Sequence, residues 1–267
     1  MSDWKFVPPG SEAPKVDPVE LPRWLVSEDE DYMVFDKPGW LVCHPSKDGP
    51  WSSLVGAVKA WRGLEVAHLV SRLDRETSGV ILIAKHYAAA AAAQTAIERR
   101  LVLKTYHALL RGELKEPVTV DQPLGPDEAS EVVVKTSVRP GPGSLAAATF
   151  FEPLIVRDGY TLARVQPHTG RKHQIRAHAE WLGHPVAGDK IYGGDDTLFL
   201  EFIAHGWTPR LAARLDFGRQ ALHASRLDFR APAFGRVFSA PLAADMRAFV
   251  LNRMRTTEAE LADALGG

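Results

Sequence analysis

The sequence predicts a fold that mixes β-strands with α-helices, because both patterns recur along the chain. Short runs rich in β-branched and aromatic residues indicate strands. The predicted strands are residues 24–26, 32–35, 40–42, 80–84, 102–110, 132–138, 147–156, 160–166 and 221–229. Segments of high helical propensity or helical spacing lie among them. The predicted helices are residues 53–61, 88–100, a segment ending at Gly183, 198–205 and a C-terminal helix from about Leu242.

Length and composition bound the number and class of domains. The 267 residues are 45% hydrophobic, enough for one large domain or two small ones. We expect an extended, proline-rich arm at 1–23, which Trp4 and Phe6 would pin to the body, then a catalytic domain at 24–240 and a helical tail at 241–267.

The charge balance and cysteine content limit the classes of partner and site. The net charge of the whole chain is −1, but residues 1–50 carry a net charge of −5 and residues 51–120 one of +4. A basic surface is therefore compatible with the near-neutral total. One cysteine, Cys43, excludes an intramolecular disulfide and a cysteine-based zinc site. Neither a leader pattern nor a long apolar run is present, so we expect a cytoplasmic protein.

The stretch from Arg72 to Lys85 organises the chain. Its second half, 80–84, reads as a strand buried on both faces. Its first half is a polar loop in which Asp74 lies between Arg72 and Arg75. Opposite charges favour the ionised carboxylate, which makes Asp74 a candidate nucleophile or base. A purely structural Arg–Asp pair that ties the loop down is the open alternative.

A second dense stretch, 167–194, is rich in histidine and basic residues. It suggests a loop entering a helix that Gly183 ends, with Lys172, Arg176 and Ala179 on one helical face. His173 and His178 are five residues apart and do not share a helical face, which argues against a metal site.

Other hydrolytic chemistries fit poorly. The run from Asp74 to Gly79 departs from the aspartic-protease pattern, since two residues intervene and no second copy exists. A serine-hydrolase elbow and a phosphate-binding glycine loop are also absent from the sequence. A fixed carboxylate, a tyrosine near cations and a basic helix start suit a base-directed reaction on RNA.

Five motifs, in order, resemble the RluA family of pseudouridine synthases. The central one is Arg72-Leu73-Asp74-x-x-Thr77-Ser78-Gly79 with Ala84-Lys85. The others are Asp36-Lys37-Pro38-Gly39 to His44, Lys104-x-Tyr106-x-Ala108-x-x-x-Gly112, Gly170-Arg171-x-His173-Gln174-Ile175-Arg176-x-His178 with Gly183-x-Pro185 and Gly188-Asp189-x-x-Tyr192-Gly193, and Leu222-His223-Ala224. Each motif alone is only weak evidence for the family, but all five in the family's order over about residues 24–235 are strong evidence for it.

The resemblance implies an α+β pseudouridine synthase fold: a long, mainly antiparallel mixed sheet flanked by helices, with a central active cleft. It implies isomerisation of uridine to pseudouridine in RNA without a cofactor or a metal. Asp74 matches the catalytic aspartate that attacks the uridine. Tyr106 matches the tyrosine that stacks on the base and assists proton transfer, and Arg176 matches the arginine that pairs with the aspartate.

The expected RNA contacts come from the same motifs and from the clustering of cations around them. They are Lys37, His44, Arg72, Arg75, Thr77, Lys104, Arg171, Lys172, His173, Gln174 and Ile175. The expected partner is structured RNA (tRNA, 23S rRNA or both), with no DNA or membrane partner, and the expected state is a monomer.

Two departures from the family pattern affect these expectations. Ser71 stands where the family usually has histidine, which puts local RNA contacts in question. There is no room before residue 24 for the S4-type RNA-binding domain of many relatives, which favours the single-domain members of the family. Two alternatives stay open at this point: an inactive RNA-binding protein of the same fold, and an unrelated hydrolase that uses Asp74.

Overall fold

A computed structural model describes residues 14–44, 49–230 and 234–266. The strands, in chain order, are β1 (Leu25–Glu28), β2 (Tyr32–Lys37), β3 (His68–Leu69), β4 (Ser78–Ala84), β5 (Val102–Arg111), β6 (Val118–Asp121), β7 (Leu124–Pro126), β8 (Thr136–Val138), β9 (Ala148–Arg157), β10 (Tyr160–Pro167), β11 (Leu222–Phe229) and β12 (Arg236–Ser239). The α-helices are α1 (Leu21–Trp24), α2 (Leu54–Arg62), α3 (Tyr87–Glu98), α4 (Gln174–Trp181), α5 (Thr197–His205), α6 (Pro209–Arg214), α7 (Ala244–Asn252) and α8 (Glu258–Gly266). The prediction of a mixed α+β chain is confirmed.

The chain divides into two compact units, described separately below. The first unit contains the described residues up to Lys104 together with His223–Pro241, and the second contains Thr105–Leu222 together with 242–266.

The first unit is organised around β4, the strand predicted from its apolar run. Its strand order is β1–β2–β4–β11, with β3 also paired to β4 and β12 to β11. Every residue of β4 is buried, and its side chains alternate between two faces. Val80, Leu82 and Ala84 pack with alanines of α3. Ile81 and Ile83 pack with α2.

The alanine-rich helix α3 has the close packing expected of small side chains. Ala89, Ala93 and Ala96 are buried against the β4 face, at the i, i+4 and i+7 spacing of one helical side. The alanine run is therefore part of the core of the first unit rather than a low-complexity segment.

The second unit is built on an antiparallel sheet in the order β5–β10–β9–β6. The predicted hairpin between β9 and β10 is confirmed, and its two-residue turn has positive φ at Asp158 (55°) and Gly159 (78°). The core beside this sheet includes Leu109, Leu162 and, from α4, Ile175. The end of α4 is also as predicted, since Gly183 adopts φ 79° just beyond it.

Three predicted segments differ from the structure. Residues 40–42 form no strand, and Val42 makes only an isolated bridge with Ser53. Residues 14–23 are not extended, because they include a 3₁₀ turn at Pro18–Glu20 and the start of α1, with Val16 and Leu21 buried. Trp4 and Phe6 lie outside the described residues. In 113–146, three short strands (β6, β7 and β8) replace the single strand predicted at 132–138.

The C-terminal third holds two further differences. Helix α6 was not predicted, and the predicted C-terminal helix is two helices, α7 and α8, separated by a break in which Arg255 has φ 53°. Among the described residues, none of the helices has the length and apolar character needed to span a membrane.

Candidate active site

Asp74 lies, half-buried, in a tight turn that leads directly into β4. Its carbonyl oxygen accepts a hydrogen bond from the amide of Thr77 at 3.1 Å, which closes a β-turn over residues 74–77. Thr77 is only 2% exposed, so the C-terminal end of this turn is embedded in the protein. The carboxylate is therefore attached to the rigid end of a fully buried strand.

The residues on both sides of Asp74 are anchored to the loop that follows β2. The ammonium of Lys37 donates to the carbonyl oxygens of Arg75 (3.0 Å), Leu41 (2.8 Å) and Pro38. This lysine is fully buried, and the carbonyl dipoles offset the cost of burying its charge. That Lys37 contacts RNA stays a prediction, and the enclosure of its side chain between the two loops argues against it.

Cys43 supplies the matching anchor on the other side of Asp74. Its thiol donates to the carbonyl oxygen of Leu73 at 3.2 Å. Burial raises the pKa of the Cys43 thiol, so the group stays protonated and remains a donor. The backbone is thus held immediately before and immediately after the aspartate.

The start of β4 is fixed against β11, the only parallel neighbour of β4 among the described strands. Ser78 pairs with His223 in the ladder, and Ser78 Oγ lies 2.9 Å from His223 Nδ1. Gly79 has φ 109°, and a Cβ built on it would lie 2.1 Å from the carbonyl oxygen of Ala224. Only glycine fits this contact, which explains the Thr-Ser-Gly sequence after Asp74.

Tyr106 lies on β5 in the second unit, half-buried, and pairs with Val165 of β10. The strand predicted at 102–110 is confirmed, so Lys104 and Tyr106 are two residues apart on one strand and face the same side. Burial lowers the pKa of Lys104, since desolvation disfavours its charged form.

Arg176 lies on α4, 5% exposed, and its guanidinium is held by a carboxylate that the sequence analysis had not assigned. Its Nε and Nη2 donate to the two oxygens of Asp189 at 2.6 and 2.8 Å. Asp189 also accepts from the amides of Ile191 (3.0 Å) and Tyr192 (3.2 Å), which fixes the pair to the following loop. The pairing of Arg176 with Asp74 stays a prediction.

The loop before α4 is tied down by Gln174, which is 4% exposed. Its Oε1 accepts from Thr169 Oγ1 (2.7 Å) and from the amide of Arg171 (3.0 Å). Its Nε2 donates to the carbonyl of Ala148 and to Thr149 Oγ1, both at 2.9 Å. Gln174 therefore connects the loop before α4 to β9. Its RNA contact stays a prediction, and the burial of the side chain argues against it.

The structure bears on two further predictions about this segment, of which one needs correction. Ile175 belongs to the hydrophobic core, which argues against its RNA contact, and that contact stays a prediction. Lys172 does not share a helical face with Arg176, because α4 begins only at Gln174. Lys172 and Arg171 are instead exposed on the preceding loop.

The remaining predicted RNA contacts differ in accessibility. Lys104 and His173 are half-buried and Thr77 is buried. The exposed members of the set are His44, Arg72, Arg75, Arg171 and Lys172.

His178, the one histidine within α4, has two local partners. His178 is fully buried, with Nδ1 2.8 Å from Thr149 Oγ1 and Nε2 3.0 Å from the carbonyl oxygen of Gln122. Because Nε2 must donate to that carbonyl, Nδ1 accepts from the hydroxyl, and burial lowers the pKa of this histidine. Within 14–44, 49–230 and 234–266, no three histidine, cysteine or acidic side chains gather as metal ligands would.

Comparison with known proteins places these residues in a family. The family described as RNA pseudouridylate synthase matches residues 31–181. A Bacillus subtilis (strain 168) protein named as an uncharacterized RNA pseudouridine synthase is 35% identical over 235 residues, covering 85% of this chain and 75% of that protein. The ribosomal large subunit pseudouridine synthase D of Haemophilus ducreyi is 30% identical over 244 residues, covering 86% and 70%.

The solved structures agree with the sequence comparison. The structure titled Human RNA Pseudouridylate Synthase Domain Containing 4 superposes with a TM-score of 0.69 at 26% identity, covering 89% of this chain and 95% of that one. The pseudouridine synthase fold expected from the motifs is confirmed. With the match over 31–181, the chain belongs to the RluA family of RNA pseudouridine synthases, isomerases that convert uridine in RNA to pseudouridine.

Proposed function

We propose that Asp74 is the nucleophile of this isomerase, that Tyr106 stacks on the uracil and assists its proton transfer, and that Arg176 pairs with the Asp74 carboxylate. The observation that carries the proposal is the anchoring of the Asp74 loop. Lys37 and Cys43 hold the carbonyls of Arg75 and Leu73, so the carboxylate between them is presented without freedom of its backbone. Preorganisation of this kind keeps a reacting group in register with its target.

The reaction is balanced without a cofactor. Attack by the carboxylate forms a bond to the uridine and allows the N1–C1′ bond to break. The uracil turns, a C5–C1′ bond forms, and the bond to the carboxylate breaks, which returns Asp74 to its starting state. The C5 proton is then removed and N1 carries a proton, so the product is an isomer of the substrate. A carboxylate needs no activating base at neutral pH, and a flat aromatic ring supports a base as it turns.

The target uridine has to leave its stack to reach such a group. Extrusion costs a few kcal/mol in a duplex and less in a loop, so structured RNA with accessible loops is the favoured substrate. We propose ribosomal RNA, transfer RNA or both as the substrate. A relative named for the ribosomal large subunit supports the first choice. We also propose a cytoplasmic monomer.

The most direct test of the activity is chemical. Purified protein is incubated with transcribed large-subunit rRNA and with transcribed tRNA, and pseudouridine is quantified after digestion to nucleosides. We expect pseudouridine in at least one of them, with RNA mass unchanged. Mapping of cellular RNA with and without the gene then identifies the uridine. An inactive RNA-binding protein would bind these RNAs and leave every uridine unchanged.

We propose that the exposed cations of the basic loop, Arg171 and Lys172, contact phosphates. The affinity for RNA should then fall steeply with salt concentration, and Lys172→Gln should reduce the slope of log K against log salt by about one unit or less. Lys115→Gln is the control, because Lys115 is an exposed cation outside all five motifs. Equal slopes for wild type and Lys172→Gln would remove Lys172 from the RNA surface.

A further inference from the structure

Tyr192 is a buried tyrosine whose hydroxyl joins three segments of the second unit. The residue is 2% exposed. Its hydroxyl lies 3.0 Å from His173 Nδ1, 3.1 Å from Thr136 Oγ1 and 3.1 Å from the amide nitrogen of Thr136. Burial raises the pKa of Tyr192 to about 12, so the hydroxyl keeps its proton at neutral pH.

One assignment of protons satisfies all of these contacts. The Thr136 amide donates to the Tyr192 oxygen, and the Thr136 hydroxyl donates to the carbonyl of Lys172 at 3.2 Å. The Tyr192 proton therefore goes to Thr136 Oγ1, and His173 Nδ1–H donates to Tyr192. The series of hydrogen bonds begins at the His173 ring, passes through Tyr192 and Thr136, and ends at the Lys172 carbonyl. It therefore links two consecutive residues of the basic loop.

These hydrogen bonds hold His173, a residue whose backbone is strained. His173 has φ 54° and ψ 17°, a left-handed conformation that a residue with a Cβ keeps only when its surroundings enforce it. The edge of its ring also packs against Tyr192, with centroids 5.7 Å apart at 85°. The direction in which Arg171 and Lys172 leave the loop therefore depends on the contact between His173 and Tyr192.

The ring of Tyr192 contacts a second residue of the proposed machinery. The Arg176 guanidinium lies 4.9 Å from the ring centroid, within the range of a cation–π interaction. The backbone amide of Tyr192 donates to Asp189, the carboxylate that holds Arg176. One side chain thus contacts Arg176 through its ring and the basic loop through its hydroxyl.

We propose that Tyr192 is a positioning residue that serves RNA binding and catalysis through separate parts of its side chain. The hydroxyl holds the 171–173 loop in its RNA-binding conformation, and the ring holds Arg176. The proposal rests on the proposed function, because it takes Arg171 and Lys172 as phosphate contacts and Arg176 as the partner of the nucleophile.

Two substitutions separate these parts. Tyr192→Phe removes the hydroxyl and keeps the ring, so we expect the dissociation constant for RNA to rise about tenfold while the single-turnover rate at saturating RNA changes less than about threefold. Tyr192→Leu removes both, and we expect the saturated rate to fall about tenfold as well. Tyr32→Phe is the matched control, since Tyr32 is equally buried and donates to the Ala89 carbonyl at 2.9 Å in the first unit.

Thr136→Val tests the same hydrogen-bond network at its other member, because it keeps the shape of the side chain and removes the hydroxyl. It should weaken RNA binding as Tyr192→Phe does. The double variant should weaken it no further than either single change, since residues of one hydrogen-bond network are not additive. Binding is measured by fluorescence anisotropy with a labelled stem-loop RNA, in a salt series, beside thermal unfolding of each variant.

The outcomes distinguish this proposal from the proposed function. Affinity for RNA is measured without turnover. A wild-type protein that binds RNA but forms no pseudouridine would therefore contradict the roles of Asp74 and Arg176. The comparison of RNA affinity between wild type and Tyr192→Phe would still test the role of the hydroxyl. Unchanged affinity in Tyr192→Phe, additive effects in the double variant, or the same loss in Tyr32→Phe would each overturn the hydroxyl's role. An unchanged saturated rate in Tyr192→Leu would overturn the ring's role.

Discussion

At the scale of single residues, the two roles that we propose for Tyr106, stacking on the base and assisting proton transfer, differ in whether they need the hydroxyl. Tyr106→Phe keeps the ring and removes the hydroxyl. Stacking on a base is worth about 1–3 kcal/mol and needs no hydroxyl, so RNA affinity should stay within a few fold. If the hydroxyl assists removal of the C5 proton, the single-turnover rate should fall about a hundredfold or more.

The control for Tyr106→Phe is Tyr160→Phe, which removes the hydroxyl of a buried tyrosine that packs on Phe249 in the same unit. It should leave the single-turnover rate near the wild-type value. A Tyr106→Phe variant that reacts as fast as wild type would reduce Tyr106 to a stacking platform.

Buried polar residues are where the structure argues against the sequence predictions at this scale. Lys37 and Gln174 belong to the motifs, and a lysine or glutamine in a motif for an RNA enzyme suggests a contact to RNA. Their partners include backbone carbonyls far away in sequence, that of Arg75 for Lys37 and that of Ala148 for Gln174. A single sequence does not reveal such partners, because they depend on how the loops pack.

Asp189 was missed for a related reason. Its position after Gly188 was part of a motif, but its role follows only from the pairing with Arg176, thirteen residues earlier. The available signal was the proximity of an acidic residue to a helix that carries a buried arginine. That signal is weak, since most such pairs lie exposed at the surface.

At the scale of elements, the junction of β4 with β11 depends on the absence of a side chain at Gly79. Gly79→Ala would place a methyl group about 2.1 Å from the carbonyl oxygen of Ala224, in a backbone with φ 109°. Backbone oxygens move only with their strand, so we expect a loss of about 3 kcal/mol or more in the free energy of unfolding. Denaturant unfolding followed by circular dichroism measures this loss.

Gly63→Ala is the control that measures only the cost of placing alanine in a backbone with positive φ. Gly63 has φ 62°, and a Cβ there would meet no atom within 4 Å, so the expected loss is about 1 kcal/mol. Equal losses in the two variants would show that the contact with Ala224 is not what requires glycine.

Elements were predictable where their cores are continuous or strictly patterned. β4 is buried on both faces and α3 packs on it with one alanine face, so an apolar run and a helical propensity identified them. The strands β6, β7 and β8 are three or four residues long; β6 and β7 mix exposed with buried positions, and β8 is half-buried throughout. Such short strands carry too little alternation to be distinguished from loops.

At the scale of the whole molecule, the buried histidines of the second unit make stability depend on pH. Burial, with a smaller contribution from Arg164, lowers the pKa of His107 to about 4. Its Nδ1 is buried and lacks a hydrogen-bond partner among the described residues. The unfolded chain, with an ordinary histidine pKa near 6.5, therefore binds a proton at a pH where the folded protein does not.

Protonation of His107 therefore favours the unfolded state. Between about pH 6.5 and pH 4 the unfolded state gains protons first, so the free energy of unfolding falls as the pH falls, by about 3 kcal/mol from this residue. His107→Leu keeps a similar volume and does not titrate, so its unfolding free energy should fall less over the same interval. Parallel pH profiles for the two proteins, measured by urea unfolding, would contradict the burial of a neutral His107.

Asp74→Asn tests most directly the proposal that Asp74 attacks the uridine. The substitution keeps the shape of the side chain and removes its charge, and the hydrogen bond that closes the turn is made by the backbone carbonyl of Asp74, which the substitution retains. RNA binding should stay within a few fold of wild type, and pseudouridine formed in a single turnover should be undetectable. A turnover above about a hundredth of the wild-type rate, with RNA bound normally, would contradict the nucleophilic role, because an amide lacks the charge that the attack requires.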